Sequence, residues 1–312
     1  MKTKLMGLAA LLLITMTVIP VSAQAKVAGA RKVTLKEKHE AGILITENST
    51  ENMDGKIAIT VGGQQMDGSE QTKGVEETTT EILALGADGE VSEARVTYVK
   101  DANTKSEQKP GAKEVGDPVE SKGDLEGVVI HWAFDATTKA WTSKLERSDP
   151  AQSESKDVLK ALKKKQPFAN PFIPGKEVAV GDAWEITEAE LKAFFGEGDD
   201  DFKVKEAKAT CKFEEIVTVE GKEQAKVSFV INVSATGQNE NLGELDITMA
   251  NTGHYMFDLT AARTVSVEMN PEVSFEKEVE TEQGKIKVGY KATGKEVKLF
   301  TYAKAEKKEG SK

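Results

Sequence analysis

The chain has very little cysteine, histidine or aromatic residue for its length. Its 312 residues include 1 cysteine and 3 histidines, and aromatic residues make up 6%. One cysteine cannot close a disulfide within the chain, so a packed core has to provide the stability. Cys211 lies in an alternating segment, residues 209–219, which predicts a buried thiol. With so few histidines, the sequence leaves little room for a catalytic triad.

Enzyme signatures are also missing. The chain contains no Gly-x-Ser-x-Gly, no His-Glu-x-x-His, no phosphate-binding loop and no Gly-x-Gly-x-x-Gly. The sequence therefore predicts a protein that is not an enzyme, with no catalytic, cofactor-binding or metal-binding residues and no cofactor. A hydrolase is the third and most distant functional hypothesis.

Acidic residues outnumber basic ones along the whole chain. There are 52 Asp and Glu against 42 Lys and Arg, and removal of Lys2 and Lys4 with a leader would leave 40, a net charge of −12. Phosphates would be repelled, so we expect neither nucleic acid nor an anionic membrane surface as a partner. Beyond the leader there is no second apolar run of roughly 18 residues, so no membrane span is predicted.

The first 25 residues are typical of an export signal. Two lysines precede an apolar run from Leu5 to Ile19, and Ala23-Gln24-Ala25 fits the small-x-small cleavage rule. We predict cleavage after Ala25, with Ala23 as second choice, and a mature protein in the periplasm or outside the cell. No cysteine follows the cleavage point, so a lipid anchor is not expected.

Alternation with a period of two dominates the rest of the sequence. One row of apolar residues is Ala225, Val227, Phe229, Ile231 and Val233, with polar residues between most of them; Ile57, Ile59 and Val61 form a shorter row. Such rows are typical of antiparallel strands with one buried face. The predicted fold class is mostly β, with curved antiparallel sheets.

Two segments 123 positions apart are similar in sequence. His131-Trp132-Ala133-Phe134-Asp135 matches His254-Tyr255-Met256-Phe257-Asp258, and upstream matches occur in the same order. We interpret this as an internal duplication with two related halves, residues 26–166 and 178–303. A proline-rich connector, residues 167–177, joins them, and a charged tail, residues 304–312, follows.

Two short helices are predicted near the junction of the halves. Residues 157–164 have helical apolar spacing, and Thr187-Glu188-Ala189-Glu190 is a capping box that opens a helix ending at Gly196. Residues 100–122 are polar and lack an apolar row, so we expect an irregular segment there.

The repeated His and Asp residues have a functional and a structural interpretation. As a metal site, His131 with Asp135 would lie roughly 13 Å apart on a strand with a rise of about 3.3 Å per residue, too far to share one ion. We therefore expect the histidines to be structural and Asp135 and Asp258 to shape turns. An acidic loop at residues 197–201 lacks the spacing of a calcium-binding loop, and Trp184 is expected to be a core anchor.

Turn residues predict the registers of two hairpins. A three-residue loop, Glu220-Gly221-Lys222, would set Val217 against Ala225 and Phe213 against Phe229. A second hairpin joins residues 273–280 to 285–291 through a loop containing Gly284. A four-residue loop there would pair Glu280 with Lys285, and a two-residue loop would pair it with Lys287; both keep acids opposite bases.

The connector and the segment after it carry a resemblance. Pro171-Phe172-Ile173-Pro174, followed by Val180-Gly181-Asp182-Ala183-Trp184, resembles a phrase in uncharacterised secreted proteins of environmental bacteria, planctomycetes among them. The resemblance covers about fifteen residues and implies a two-part β architecture without a known activity. In its general strand pattern the chain is also similar to bacterial lipoprotein carriers, which fold a curved sheet over helices.

Two classes of function follow from the sequence. The first is an exported, soluble protein that binds an apolar small molecule, a lipid or a protein segment on a curved sheet. The second is a structural or cell-surface protein that has no small-molecule ligand. An apolar ligand or a protein is thus the expected partner, and the sequence does not identify the ligand-binding residues.

Overall fold

The computed structural model describes residues 31–150, 152–163, 167–168, 170–195, 202–281 and 284–305. The predicted signal segment and nearly all of the predicted tail lie outside these ranges, as does the acidic loop at 197–201. The elements are β1 (Lys32–Leu35), β2 (Ile43–Val61), β3 (Gln64–Leu85), β4 (Val91–Gln108), β5 (Val119–Lys122), β6 (Val129–Asp135), β7 (Ala140–Arg147), α1 (Lys156–Leu162), β8 (Lys176–Ala179), β9 (Ala183–Ile186), α2 (Glu188–Phe195), β10 (Phe202–Val219), β11 (Lys222–Asn239), β12 (Gly243–Asp258), β13 (Arg263–Thr281) and β14 (Gly284–Lys304).

One antiparallel sheet contains twelve of these strands. Its order is β7-β6-β4-β3-β2-β14-β13-β12-β11-β10-β9, and β5 pairs with β4. β2 and β14 pair along their length, from Val61 opposite Ile286 to Ile43 opposite Lys304, so strands of both predicted halves share one sheet. A second sheet consists of β1 and β8. The predicted mostly β, antiparallel fold is confirmed.

One face of the large sheet carries the apolar rows, and we call it the inner face. On β11 it presents the row from Ala225 to Ala235, whose odd-numbered side chains are all buried. The other face, the outer face, presents polar neighbours such as Ser228 and Asn232. The clean separation of the two faces follows from the period-two pattern.

The two helices and the small sheet cover opposite parts of the inner face. Val158 of α1 packs in a cluster with Tyr98, Ile130 and Trp132. Leu191 of α2 and Leu35 of β1 pack in another cluster, which also includes most of the β10 and β11 row. The capping box at α2 is present as predicted: the Glu190 amide donates to the Thr187 hydroxyl oxygen at 3.3 Å, and the Thr187 amide donates to the Glu190 carboxylate at 2.9 Å.

The two similar segments share strand order. β3, β4, β6 and β7 are successive neighbours, as are β10, β11, β12 and β13. Glu81 lies opposite Arg95 in the first set, and the matching Glu215 lies opposite Lys226 in the second. The register of the next strand pair differs by two residues between the two sets. His131 lies opposite Arg95, whereas His254 lies opposite Ser228, two residues beyond Lys226, which is the match of Arg95. Common strand order is what a duplication would produce; the duplication itself stays a prediction.

Two local predictions are wrong. Glu220 and Gly221 both have positive φ, 50° and 77°, which makes a two-residue hairpin turn in place of a three-residue loop. Ala225 consequently lies opposite Ile216, and Phe213 opposite Val227. Residues 100–108 continue β4 although they have no apolar row, because their backbone pairs with β3 on one side and partly with β5 on the other.

Candidate ligand-binding face

The ends of two hairpins form a mostly apolar area on the inner face, here called the hairpin patch. Val279 lies opposite Ile286, which lies opposite Val61, and in the next row Val288 lies opposite Ile59. All its side chains are partly exposed: Ile57, Ile59, Val61, Met66, Phe275, Val279, Ile286 and Val288. The patch therefore spans β13, β14, β2 and β3, and Lys277 of β13, which lies opposite Val288, stands among its apolar side chains.

The outer face of the same hairpins is charged. Glu278 and Lys285 form an ion pair, and Lys287 pairs with Glu276 at 2.8 Å. Of the two registers that the sequence left open, the structure has Glu280 opposite Lys285 and Phe275 opposite Tyr290, but Thr281 pairs with Gly284, so the expected four-residue loop containing Gly284 is wrong. In this hairpin the charges of Glu276, Glu278, Lys285 and Lys287 thus lie on the outer face, and Lys277 is a charged residue on the inner face.

The hairpin patch is adjoined by an apolar cluster that the sheet forms by itself. Its buried members are Met53, Leu245, Ile247, Val273 and Ala292, and all of them belong to strands of the large sheet. The partly buried residues packed against it come from the same strands, from β10 and from Leu242 in the turn before β12. Among the described side chains, none of α1 or α2 belongs to this cluster, unlike the clusters farther along the inner face.

Charged side chains cross the inner face beside the hairpin patch. This carboxylate belt comprises Glu47, Glu51, Glu70, Glu76 and Glu296, together with Lys105 and Lys298. Lys298 lies 2.8 Å from Glu47 and 3.3 Å from Glu296, and Lys105 lies 2.7 Å from Glu70. Charged groups on the inner face of a sheet are unusual, and each lysine here has a carboxylate partner.

The belt changes the protonation of its members. Burial opposes the charge of Lys298, but the carboxylates of Glu47 and Glu296 outweigh it and hold the pKa of Lys298 above its ordinary value. Burial, and then the nearby Glu296, raise the pKa of Glu51. Among the described residues, none forms an ion pair or a hydrogen bond with the Glu51 carboxylate.

Tyr290 connects the belt to the hairpin patch. Its hydroxyl donates a hydrogen bond of 2.6 Å to Glu70, and its ring stacks on Phe275 with the centroids 5.6 Å apart. Burial, followed by the bond to Glu70, raises the pKa of the Tyr290 hydroxyl. A polar and an apolar surface therefore meet at one aromatic side chain.

The repeated His and Asp residues of the sequence analysis lie outside the hairpin patch and the carboxylate belt. His131 is on the outer face, 2.8 Å from Glu93, and His254 lies opposite Glu268. Asp135 and Asp258 each accept a bond of 2.8 Å from the amide two residues on, so both shape turns as expected. Lys139 and Ala262, each four residues after its Asp, both have positive φ.

Cys211 of β10 and Trp184 of β9 belong to the apolar cluster that α2 and β1 cover on the inner face. Cys211 is buried, and burial raises the pKa of its thiol to about 12. Trp184 packs against the same cluster, and its indole N–H donates to the carbonyl of Phe172 at 3.3 Å. The Gly181-Asp182 corner before it is held by the Ala179 amide, which donates to Asp182 at 2.9 Å. The contacts of these residues are thus with the protein's own core and backbone.

A shallow depression lies at the opposite end of β2 and β14. It is a shallow cleft of about 330 Å³, lined by Lys38, Glu40, Ile43, Thr260, Ala261, Arg263, Tyr302, Ala303 and Lys304. Arg263 is already paired with Glu40 at 3.3 Å and lies over the ring of Tyr302. Its lining is mixed polar and apolar and Arg263 is already paired, so the hairpin patch is the stronger candidate.

The described residues contain neither a metal-binding cluster nor a helix that could span a membrane. In the described ranges, no three His, Cys, Asp or Glu side chains are arranged so that they could hold a metal ion. Neither α1 nor α2, the helices of the described residues, has the length and apolar character that crossing a bilayer requires.

Comparison with known proteins gives only distant likenesses. No protein-family model and no curated protein matches the chain. The chain is similar to lipovitellin, in a structure describing its lipid–protein interactions, with a TM-score of 0.42 and 8% identity over 87% of this chain and 26% of that one. It is similar to an outer membrane channel from Pseudomonas putida F1, with a TM-score of 0.24 and 8% identity over 85% and 97%. These scores are too low to bear on function.

Proposed function

We propose that the protein is an exported, non-enzymatic binding protein that holds the apolar part of an amphipathic molecule on the hairpin patch. The observation that carries this proposal is the contrast along one face of one sheet. α1, α2 and β1 cover the inner face at both sides, whereas the patch remains partly exposed. Contiguous exposed apolar surface is rare on soluble proteins unless it binds something.

The energetics favour an apolar chain over a polar solute. Each square ångström of apolar surface removed from water contributes about 25 cal/mol. A chain lying across Val288, Ile59 and their neighbours would remove both its own surface and theirs from water. The half-buried state of the patch side chains leaves area for such a contact.

A structural protein without a ligand is the second candidate. The observation favouring it is the filled core of the C-terminal strands, where Phe213, Val227 and Phe257 have no exposed surface. A sheet filled in this way has no need of a ligand to be stable. The two candidate functions differ in whether the hairpin patch binds a ligand.

Titration with an environment-sensitive fluorescent fatty-acyl probe separates the two candidates. Ile59→Asp places a charge in the patch, and Thr60→Asp places the same charge on the outer face, opposite Lys287. We expect saturable binding to the unaltered protein, about tenfold or more weaker binding to Ile59→Asp, and little change for Thr60→Asp. Urea melts establish that both variants fold. Lack of saturable binding, or equal weakening by both variants, would favour the structural protein.

A further inference from the structure

We propose that the amphipathic molecule has a cationic head group, an amine or a quaternary ammonium, which lies at the carboxylate belt while its apolar chain lies on the hairpin patch. This inference rests on the proposed function, because it assigns the chemical class of the ligand at the same face. It commits to a small amphiphile and not to a protein segment.

The belt and the patch are close enough for one molecule to contact both. Glu70 of the belt bonds to Tyr290, whose ring stacks on Phe275 of the patch. Glu51 precedes Ile57, the first patch residue on β2, by six residues, a separation of about 20 Å along a strand that an extended long alkyl chain can span. A head group at Glu51 therefore leaves its chain pointing along β2 toward Ile57 and Ile59.

The charge balance of the belt favours a cation. Five carboxylates face two ammonium groups there, and both lysines already have carboxylate partners. Glu51 has no ion pair within the described ranges, and burial raises its pKa. Lys277 is also on the inner face, where its ammonium donates to the carbonyl of Glu244 at 2.7 Å. An anionic head group would meet net repulsion at the belt.

Aromatic rings at the junction suit an ammonium group. The rings of Phe275 and Tyr290 are stacked with an interplanar angle of 19°. The face of an aromatic ring attracts a cation, and recognition of quaternary ammonium ligands commonly combines rings with carboxylates. A bare metal ion is a poorer fit, since no three belt acids in the described ranges are arranged to hold one.

Competition between head groups tests the inference. An alkyltrimethylammonium, an alkyl maltoside and a fatty carboxylate of equal chain length, each below its critical micelle concentration, would displace the fluorescent probe. We expect the ammonium to displace it at about tenfold lower concentration than the carboxylate, with the maltoside between them. Equal or better displacement by the carboxylate would overturn the inference and leave the proposed function standing. Failure of all three, with no saturable probe binding, would overturn both.

Two variants test whether the preference for an ammonium head group arises at the carboxylate belt. Glu51→Gln removes one belt charge, and Glu280→Gln removes an outer-face charge that is 82% exposed. We expect Glu51→Gln to weaken the ammonium about threefold to tenfold without changing the maltoside, and Glu280→Gln to leave both within twofold. An equal effect of the two variants on ammonium binding would show that overall charge, and not the belt, selects the head group, and would overturn the inference.

Discussion

Glu70 of β3 and Tyr290 of β14 meet across Gly55 of β2, the strand that lies between them. Gly55 pairs with Glu70 on one side and with Ala292 on the other. A Cβ at Gly55 would lie 2.9 Å from the Glu70 Cγ and 2.9 Å from the Tyr290 hydroxyl oxygen. A side chain at this position would prevent their contact, so the glycine permits the link between the carboxylate belt and the hairpin patch.

Gly55→Ala should therefore destabilise the protein. The added methyl group forces Tyr290 or Glu70 to move, and overpacking of this kind costs about 1–3 kcal/mol. Urea denaturation measures the change in the free energy of unfolding. Gly289→Ala is the matched control, because its nearest neighbour would be the Ala58 carbonyl at 4.0 Å and its φ is not positive. Equal losses in the two variants would mean that the Glu70–Tyr290 contact is not the cause.

The two turn aspartates should differ in importance although they make similar bonds. The Asp258 side chain is only 5% exposed, whereas Asp135 is exposed. Asp258→Ala would leave the amides of Thr260 and Ala261 without their acceptor in a poorly hydrated site, at a cost of about 1–3 kcal/mol. At Asp135 water can replace the acceptor, so we expect about 0.5–1 kcal/mol. Thermal and urea melts compare the two, and a larger loss for Asp135→Ala would contradict this account.

The β13–β14 hairpin should depend more on its apolar face than on its charges. Val279 and Ile286 face each other and are half-buried, so truncation of either to alanine should cost about 1 kcal/mol. Glu278 and Lys287 lie on the exposed outer face, where an ion pair contributes about 0.2–1 kcal/mol. We expect alanine at Glu278 or Lys287 to change the unfolding midpoint less. Equal losses in both classes, measured by denaturant melts, would mean that the buried face has been assigned wrongly.

Glu51 should destabilise the fold at neutral pH. Burial and Glu296 raise its pKa in the folded state, so the protonated form is favoured there. The stability that this provides is fully present below the ordinary glutamate pKa and is lost as the pH rises through the raised value. Glu51→Gln should therefore be more stable than the unaltered protein at pH 7, and the difference should vanish below about pH 4. A pH-independent difference, or a less stable variant at pH 7, would contradict the assigned environment.

Much of the fold could be predicted because period-two patterns determine strands and faces directly. The row from Ala225 to Val233 follows from alternation, and alternation with charge complementarity gives the faces of the β13–β14 hairpin while leaving two registers open. The register after Glu220 could not be predicted in this way, since it depends on positive φ at a residue other than glycine. The strand at residues 100–108 could not be predicted because it has no apolar row and its pairing with β3 is made by backbone and polar side chains.

The carboxylate belt could not be predicted from sequence. Glu47 and Glu51 are in phase with the row of Ile57, Ile59 and Val61, so alternation alone places them on the inner face, but it does not show which side chains of other strands surround them. Only the sheet order brings β3, β2 and β14 together and places these acids beside Lys298. Gly55 was the available signal, because a glycine inside a strand often marks a close approach of larger neighbours.

Photolabelling with a diazirine-bearing alkyl amine tests the central claim most directly, because it reports where an amphiphile lies. We expect saturable labelling that maps to residues 57–61, 275–279 or 286–290 of the hairpin patch. Labelling should fall when unlabelled alkyltrimethylammonium competes, and it should be largely lost in Ile59→Asp but retained in Thr60→Asp. Labels that map instead to the outer face or to the cleft at Arg263 and Tyr302, or labelling that competitor leaves unchanged, would contradict the account.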